Sequence, residues 1–190
     1  MRYSYDHKPA IRRNIVATAA RRYRAEGIQS VGIANLMADL GLTHGGFYTH
    51  FKDKESLVAE VCRDTLQAQR QRWQEAFEAT PHAALQAIVS EYLSEGHKDR
   101  MEDGCPIPAL AGELARRDNP SRQAFTEGIS GLLGVLQDSQ PKTPMSVPIG
   151  PHAMLSMMVG ALLLARAVSD ESTSQAFLHC VQLPDVSRET

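Results

Sequence analysis

Between Thr43 and His50 the chain sets five side chains able to give or take a hydrogen bond, Thr43, His44, Tyr48, Thr49 and His50, around two glycines and a phenylalanine. Carried outward on one short helix, such a row suits the edges of a nucleic-acid groove or its phosphates. No comparable grouping points to a reaction. The seven histidines are scattered without metal spacing such as HExxH, and no GxSxG or Cys with a positioned His joins a nucleophile to a base. The expectation is no catalytic residue, no metal and no cofactor. Cys62, Cys105 and Cys180 are widely spaced and odd in number, which argues against a disulfide framework and suits a reducing cytoplasm. Cys105, within Asp103-Gly104-Cys105-Pro106, falls at the mouth of an expected helix, where the dipole favours a thiolate. Asp103 opposes that effect, so Cys105 is expected to be inert as a redox switch.

Charge is unevenly distributed. The whole chain of 190 residues carries −2, but residues 1–55 hold nine Lys/Arg against five Asp/Glu, a local +4, leaving −6 on the remainder. A basic head on an acidic body is an electrostatic footprint for nucleic acid that the overall pI near 6.4 conceals. Arg12 and Arg13 serve equally well here as phosphate contacts or as solvated helix charges. The longest apolar run, Ala153 to Val168, is interrupted by Ser156, Gly160 and Arg166 and falls short of the roughly 20 residues of a membrane span. MRYSYDHKPAIRRN contains no apolar stretch, so no secretory signal is expected and the location expected is cytoplasmic.

The elements that must position these residues are helical nearly throughout. A first helix is predicted over Pro9–Glu26, stopped by Gly27, with Ile11, Ile15, Ala19 and Tyr23 as its buried stripe. A short helix Ile33–Leu40 ends at Gly41, and a second, His44–Phe51, follows with Thr43 as its cap, a helix-turn-helix pattern. A long helix, Lys54–Ala79, comes next, with Leu57, Val61, Thr65, Leu66, Trp73 and Phe77 on its apolar side. Beyond it the pattern predicts one helix over His82–Lys98, another from Cys105 to Arg116, one from Asn119 to Asp138, a proline-rich loop over Ser139–Gly150, an apolar helix Pro151–Ser169, and a last helix from Ser172 holding Phe177, Leu178 and Val181. About nine helices in an all-α chain is the expected fold.

The run GIQSVGIANLMADLGLTHGGFYTHFKDKESLVAEV resembles the N-terminal domain of the TetR family of bacterial transcription regulators, through Gly27, Ile33-Ala34, Gly41, Gly45, Phe47-Tyr48, Phe51 and Lys54-Glu55-x-Leu57. The resemblance covers about a quarter of the chain, Ile11 to Val61. It implies a three-helix DNA-binding head, residues 1–53, whose third helix enters the major groove, and an effector-binding and dimerisation domain, residues 54–190. Carried over by position, Thr43, His44, Gly46, Tyr48, Thr49, His50 and Lys54 would meet DNA, with Tyr48, His50 and Lys54 on phosphates. His44 stands where relatives often have Lys or Arg, and Gly46 where they often have Thr or Ser, so base readout by this helix is expected to be thin.

The same resemblance implies a small-molecule effector held among the middle helices. Trp73, Tyr92, Met101, Cys105, Leu110, Leu114 and Phe125 are the candidate lining. A helix apolar nearly all round, as Pro151–Ser169 is, requires cover on more than one side, and a second copy of the chain would supply it in a homodimer. The expected function is a ligand-responsive regulator, a repressor that binds operator DNA as a dimer and is released by a small molecule. An architectural DNA-binding protein without an effector, and a small all-helical thiol enzyme, are the alternatives.

Overall fold

A computed structural model of the chain describes residues 7–117, 119–140, 149–181 and 183. Among the described residues there are helices and no strands: α1 His7–Glu26, α2 Ile33–Asp39, a 3₁₀ turn His44–Thr49, α3 Lys54–Ala79, α4 Ala84–Tyr92, α5 Glu95–Asp99, a 3₁₀ turn Met101–Asp103, α6 Pro106–Leu114, α7 Asn119–Asp138, α8 Pro151–Ala167 and α9 Glu171–Leu178. The all-α expectation holds, and most helix boundaries fall within two residues of those read from the pattern. The proline-rich loop expected over 139–150 lies mostly outside the described residues.

Three local readings need correction. The helix expected over His82–Lys98 is two, because Leu93 closes α4 and Ser94 caps α5 by accepting the His97 N–H at 3.2 Å. The Ser94 hydroxyl also donates to the Glu91 carbonyl, tying the two helices at a sharp step. The short helix after Thr43 is 3₁₀ rather than α, as its two glycines disfavour the α-helix and its closing bonds include Gly46 N–H to the Thr43 carbonyl and His50 N–H to Phe47. Val181 is buried but lies past the end of α9.

Two apolar cores form. The first gathers Ile15, Val16, Ala19, Ala20 and Tyr23 of α1, Leu36 and Met37 of α2, Phe47 and Phe51, the first half of α3 (Leu57 to Cys62), and Leu110, Leu114 and Ala124 from α6 and α7. The second gathers Leu66 and Trp73 of α3 with α4, the start of α6, the later half of α7, α8 and α9. Helices α3, α6 and α7 therefore run through both. Close approach of α3 and α7 depends on Gly128, where a Cβ would lie 2.4 Å from Leu66 Cδ1. A glycine inside a helix costs about 1 kcal/mol in propensity, which this tight packing offsets.

Helix α8 is not covered on every side within one chain. Met154, Leu155, Met158, Ala161, Leu162 and Ala165 are buried, whereas Met157, Leu163 and Leu164 are 39%, 46% and 45% exposed. With Ala153, Ser156 and Gly160 they form a solvent-facing apolar stripe at helical spacing, and the space outside Gly160 is open.

Candidate functional site

The row Thr43–His50 is held by the turn before it and two rings beneath it. Gly41 takes φ +67°, its N–H bonds to the Ala38 carbonyl, and the Leu42 N–H reaches Met37, which closes α2 in a left-handed cap. Thr43 then caps the 3₁₀ turn by accepting the Gly46 N–H at 3.3 Å, and the Thr49 hydroxyl donates to the Gly46 carbonyl at 2.8 Å. Phe47 and Phe51 are buried and stacked with centroids 5.5 Å apart, so they are core, not base-stacking groups. Above them Tyr48 is 56% exposed, edge-on to both His44 and Phe47. Thr43, His44, Tyr48 and Thr49 all face solvent, and no atom lies within 4 Å of a Cβ built on Gly45. The backbone there is open to close approach by another molecule.

His50 is half-buried, and its Nδ1 is enclosed without a hydrogen-bond partner among the described residues. Burial pulls its imidazole below the ordinary value, with the charges of Lys8 and Arg12 acting in the same direction. Lys54 stands in the first turn of α3, after an Asp53–Ser56 capping box in which Asp53 accepts the Ser56 N–H at 2.7 Å. Burial, then the nearby Arg117, lowers the Lys54 ammonium below its usual value, while Glu113 raises it.

The basic head is less free than its sequence implies. Arg12 does not stand out as a solvated or phosphate-seeking charge: its Nε donates to Glu60 at 2.9 Å, its other nitrogens engage Glu60 and the His50 carbonyl, and the guanidinium lies 4.0 Å from the Phe51 centroid. It fastens the far end of the 3₁₀ turn to α3. Arg22 pairs with Glu26 and Asp39, Arg21 with Glu102 and Asp103, and buried Arg24 donates to the Glu102 carbonyl at 2.5 Å. Apart from Arg24, which donates to a carbonyl, Lys8, Arg13 and Lys52 of the head and Lys54 at the start of α3 have no ion-pair partner among the described residues. Nothing in the residue types separated these two groups, since Arg12 and Glu60 are 48 positions apart.

The seven residues expected to line an effector site fall into separate places. Trp73, Tyr92 and Cys105 share the second core; Leu110 and Leu114 belong to the first; Phe125 packs against both; Met101 is 40% exposed. The aromatic pair Trp73–Tyr92 meets edge-on at 5.9 Å, and Tyr92 meets His97 at 4.7 Å. Trp73 Nε1 and the Tyr92 hydroxyl are buried without a hydrogen-bond partner among the described residues. His97, which the sequence reading passed over, organises this cluster. Its Nδ1 meets the Tyr92 carbonyl at 2.7 Å, and its Nε2 accepts the Cys105 N–H at 2.9 Å, which fixes the neutral tautomer. Burial pushes its pKa down to about 4. The Cys105 thiol is fully buried and pushed above its ordinary value, again chiefly by burial. A cavity of about 690 Å³ opens elsewhere, between α4 and α9, over Val89, Leu93, Leu178 and Val181, and none of the seven lines it. Among the described residues no cluster of His, Cys, Asp and Glu could hold a metal, and no helix is long and apolar enough to cross a membrane.

Comparison with known proteins agrees with this architecture. Residues 15–61 match the family model described as bacterial regulatory proteins, tetR family. The chain is 24% identical to the HTH-type transcriptional regulator LmrA of Bacillus subtilis, over 92% of this chain and 95% of that protein. Among solved structures, the reduced form of E. coli NemR superposes with a TM-score of 0.76 at 19% identity, covering 91% of this chain and 95% of that one. FadR of Bacillus subtilis, solved in complex with stearoyl-CoA, gives 0.65 at 15% identity over 90% and 99%.

Proposed function

We infer that this chain, which belongs to the TetR family of bacterial transcription regulators, is a repressor that grips operator DNA as a homodimer and lets go when a small molecule enters its helical body. The observation that carries the DNA reading is the exposed row Thr43, His44, Tyr48 and Thr49, supported from beneath by Phe47 and Phe51 and accompanied by Lys8, Arg13, Lys52 and Lys54, which have no ion-pair partner among the described residues. In this reading the open side of Gly45 lets the groove wall come close to the Gly45-Gly46 backbone, and Tyr48, His50 and Lys54 take phosphates. The head comprises residues 1–53 and the body residues 54–190. The apolar stripe of α8 supports pairing with a second copy, which would place two heads on half-sites about one DNA turn apart. For the effector, the support is the buried Trp73 Nε1, which has no hydrogen-bond partner among the described residues, next to the buried Tyr92 hydroxyl set against the Cys105 thiol. FadR, of the same fold, holds a small-molecule thioester. The relatives are transcriptional regulators, so no catalytic step is assigned, and the protein works in the cytoplasm on the genome.

The test is a mobility shift on DNA flanking the protein's own gene. Tyr48→Phe combined with Lys54→Ala should abolish the shift while circular dichroism stays helical. Wild-type affinity and salt dependence in that double variant would overturn the docking.

A further inference from the structure

We propose that Glu113, on helix α6 of the body, is a positioning residue for DNA docking that sets the orientation of the head; the proposal rests on the regulator reading above. Helix α1 stops at Glu26, and Gly27 at φ +84° reverses the chain so that two successive amides, of Ile28 and Gln29, point the same way. Successive N–H groups following a left-handed residue form a concavity suited to an anion. Glu113 occupies it: Oε1 accepts the Ile28 N–H at 2.9 Å and Oε2 the Gln29 N–H at 3.0 Å. Each carboxylate oxygen takes one amide, in charge-assisted bonds. The left-handed φ requires the glycine, and a Cβ there, 2.8 Å from Glu113 Oε1, would push the carboxylate off its place.

The helix that delivers this carboxylate is fixed at both ends. At its start, the Cys105 N–H is held by His97, whose own carbonyl accepts Arg166 of α8 at 2.5 Å. At its end, Leu110 and Leu114 are embedded in the first core. Nine residues of helix make α6 a strut of about 14 Å between the α8 side of the body and the turn joining α1 to α2. That turn carries α2, and α2 carries the row Thr43–His50. Glu113 therefore governs where the reading face lies relative to the body, without standing on that face.

The experiment compares Glu113→Ala, Glu113→Gln, Gly27→Ala and the double variant Gly27→Ala/Glu113→Ala. Amide hydrogen exchange is read on the free protein, and binding is read on DNA flanking its own gene. Glu113→Ala should speed exchange at Ile28 and Gln29 about tenfold, the loss of one charge-assisted bond each, leaving the α7 amides near Leu132 and Leu136 unchanged. DNA affinity should fall about tenfold with an unaltered salt slope, and Glu113→Gln, which keeps one acceptor oxygen, should fall between. Gly27→Ala should weaken binding less on the Glu113→Ala background than on wild type. Wild-type exchange at the two amides, unchanged DNA affinity, or acceleration throughout α7 would overturn the proposal, the last by making Glu113 a general support of the fold. Absence of any shift with wild type would instead defeat the regulator reading, while the exchange arm still shows whether Glu113 holds the turn.

Discussion

The salt dependence of DNA binding separates the cations that face the nucleic acid from those engaged inside the protein. Each phosphate neutralised by a cation contributes about −0.9 to the slope of log K against log salt. Counting all nine Lys/Arg of residues 1–55 in both subunits of a dimer gives a slope near −16. The ion pairs of Arg12, Arg21 and Arg22 and the burial of Arg24 leave Lys8, Arg13, Lys52 and Lys54 in each head. Eight contacts give about −7, or about −9 if Arg2, outside the described residues, adds one per head. Between 50 and 200 mM salt a slope of −7 amounts to a loss of about 10⁴ in affinity. Lys54→Ala should make the slope shallower by about 2, whereas Arg12→Ala should leave the slope alone and lower thermal stability, since its partners Glu60 and the His50 carbonyl are within the protein. Fluorescence anisotropy on flanking DNA over that salt range, run beside thermal melts, measures both. A wild-type slope steeper than about −14, or equal flattening by Arg12→Ala and Lys54→Ala, would refute the division.

Three other outcomes follow from the body. Gly160→Arg, which puts a charge in the middle of the exposed α8 stripe, should give a monomer by light scattering; an unchanged dimer mass would place the interface elsewhere. Cys105→Ser and wild type should release DNA alike under peroxide or quinones, because the Cys105 thiol is buried and held protonated; release in wild type alone would reverse this. His97, pushed down to about 4 from an ordinary 6.5, binds its proton more readily unfolded than folded. Its contribution is thus fully present above pH 6.5 and lost as pH falls towards 4, up to about 3 kcal/mol. Urea midpoints should fall over that window in wild type and fall less in His97→Gln; parallel curves would discount His97.

How far the molecule was legible in its residues depended on the range of the interaction. Caps and stops are local, so Gly27, Gly41, Thr43 and Pro151 marked their helix ends correctly. Periodicity found the buried faces of α1 and α3, because one apolar stripe per helix suffices to say which side turns inward. The step at Ser94 was hidden by an amphipathic pattern that runs on across it. The partners of the head arginines were not legible at all, since Arg24 meets a carbonyl 78 positions away and Arg12 a carboxylate 48 away. His97 offered no motif, only a lone imidazole, and its importance comes from the two backbone groups that the fold brings to its nitrogens.

Because α3 belongs to both cores, and α6 and α7 supply Leu110, Leu114 and Ala124 to the first, the DNA-reading end is not a contiguous stretch of chain that can be cut out and regrafted. A fragment ending at residue 53 would lack the surface against which Tyr23, Phe47 and Phe51 are packed. A chimera that exchanged residues 1–53 between relatives would retain its specificity only if the matching positions of three later helices were exchanged with them. Drift in the reading row is least constrained at exposed His44, since Thr43 and Thr49 also hold the turn through Gly46, whereas drift in its base is tied to distant parts of the gene. Specificity in such a molecule can therefore change by single substitutions on the exposed row, while its scaffold changes only by concerted ones.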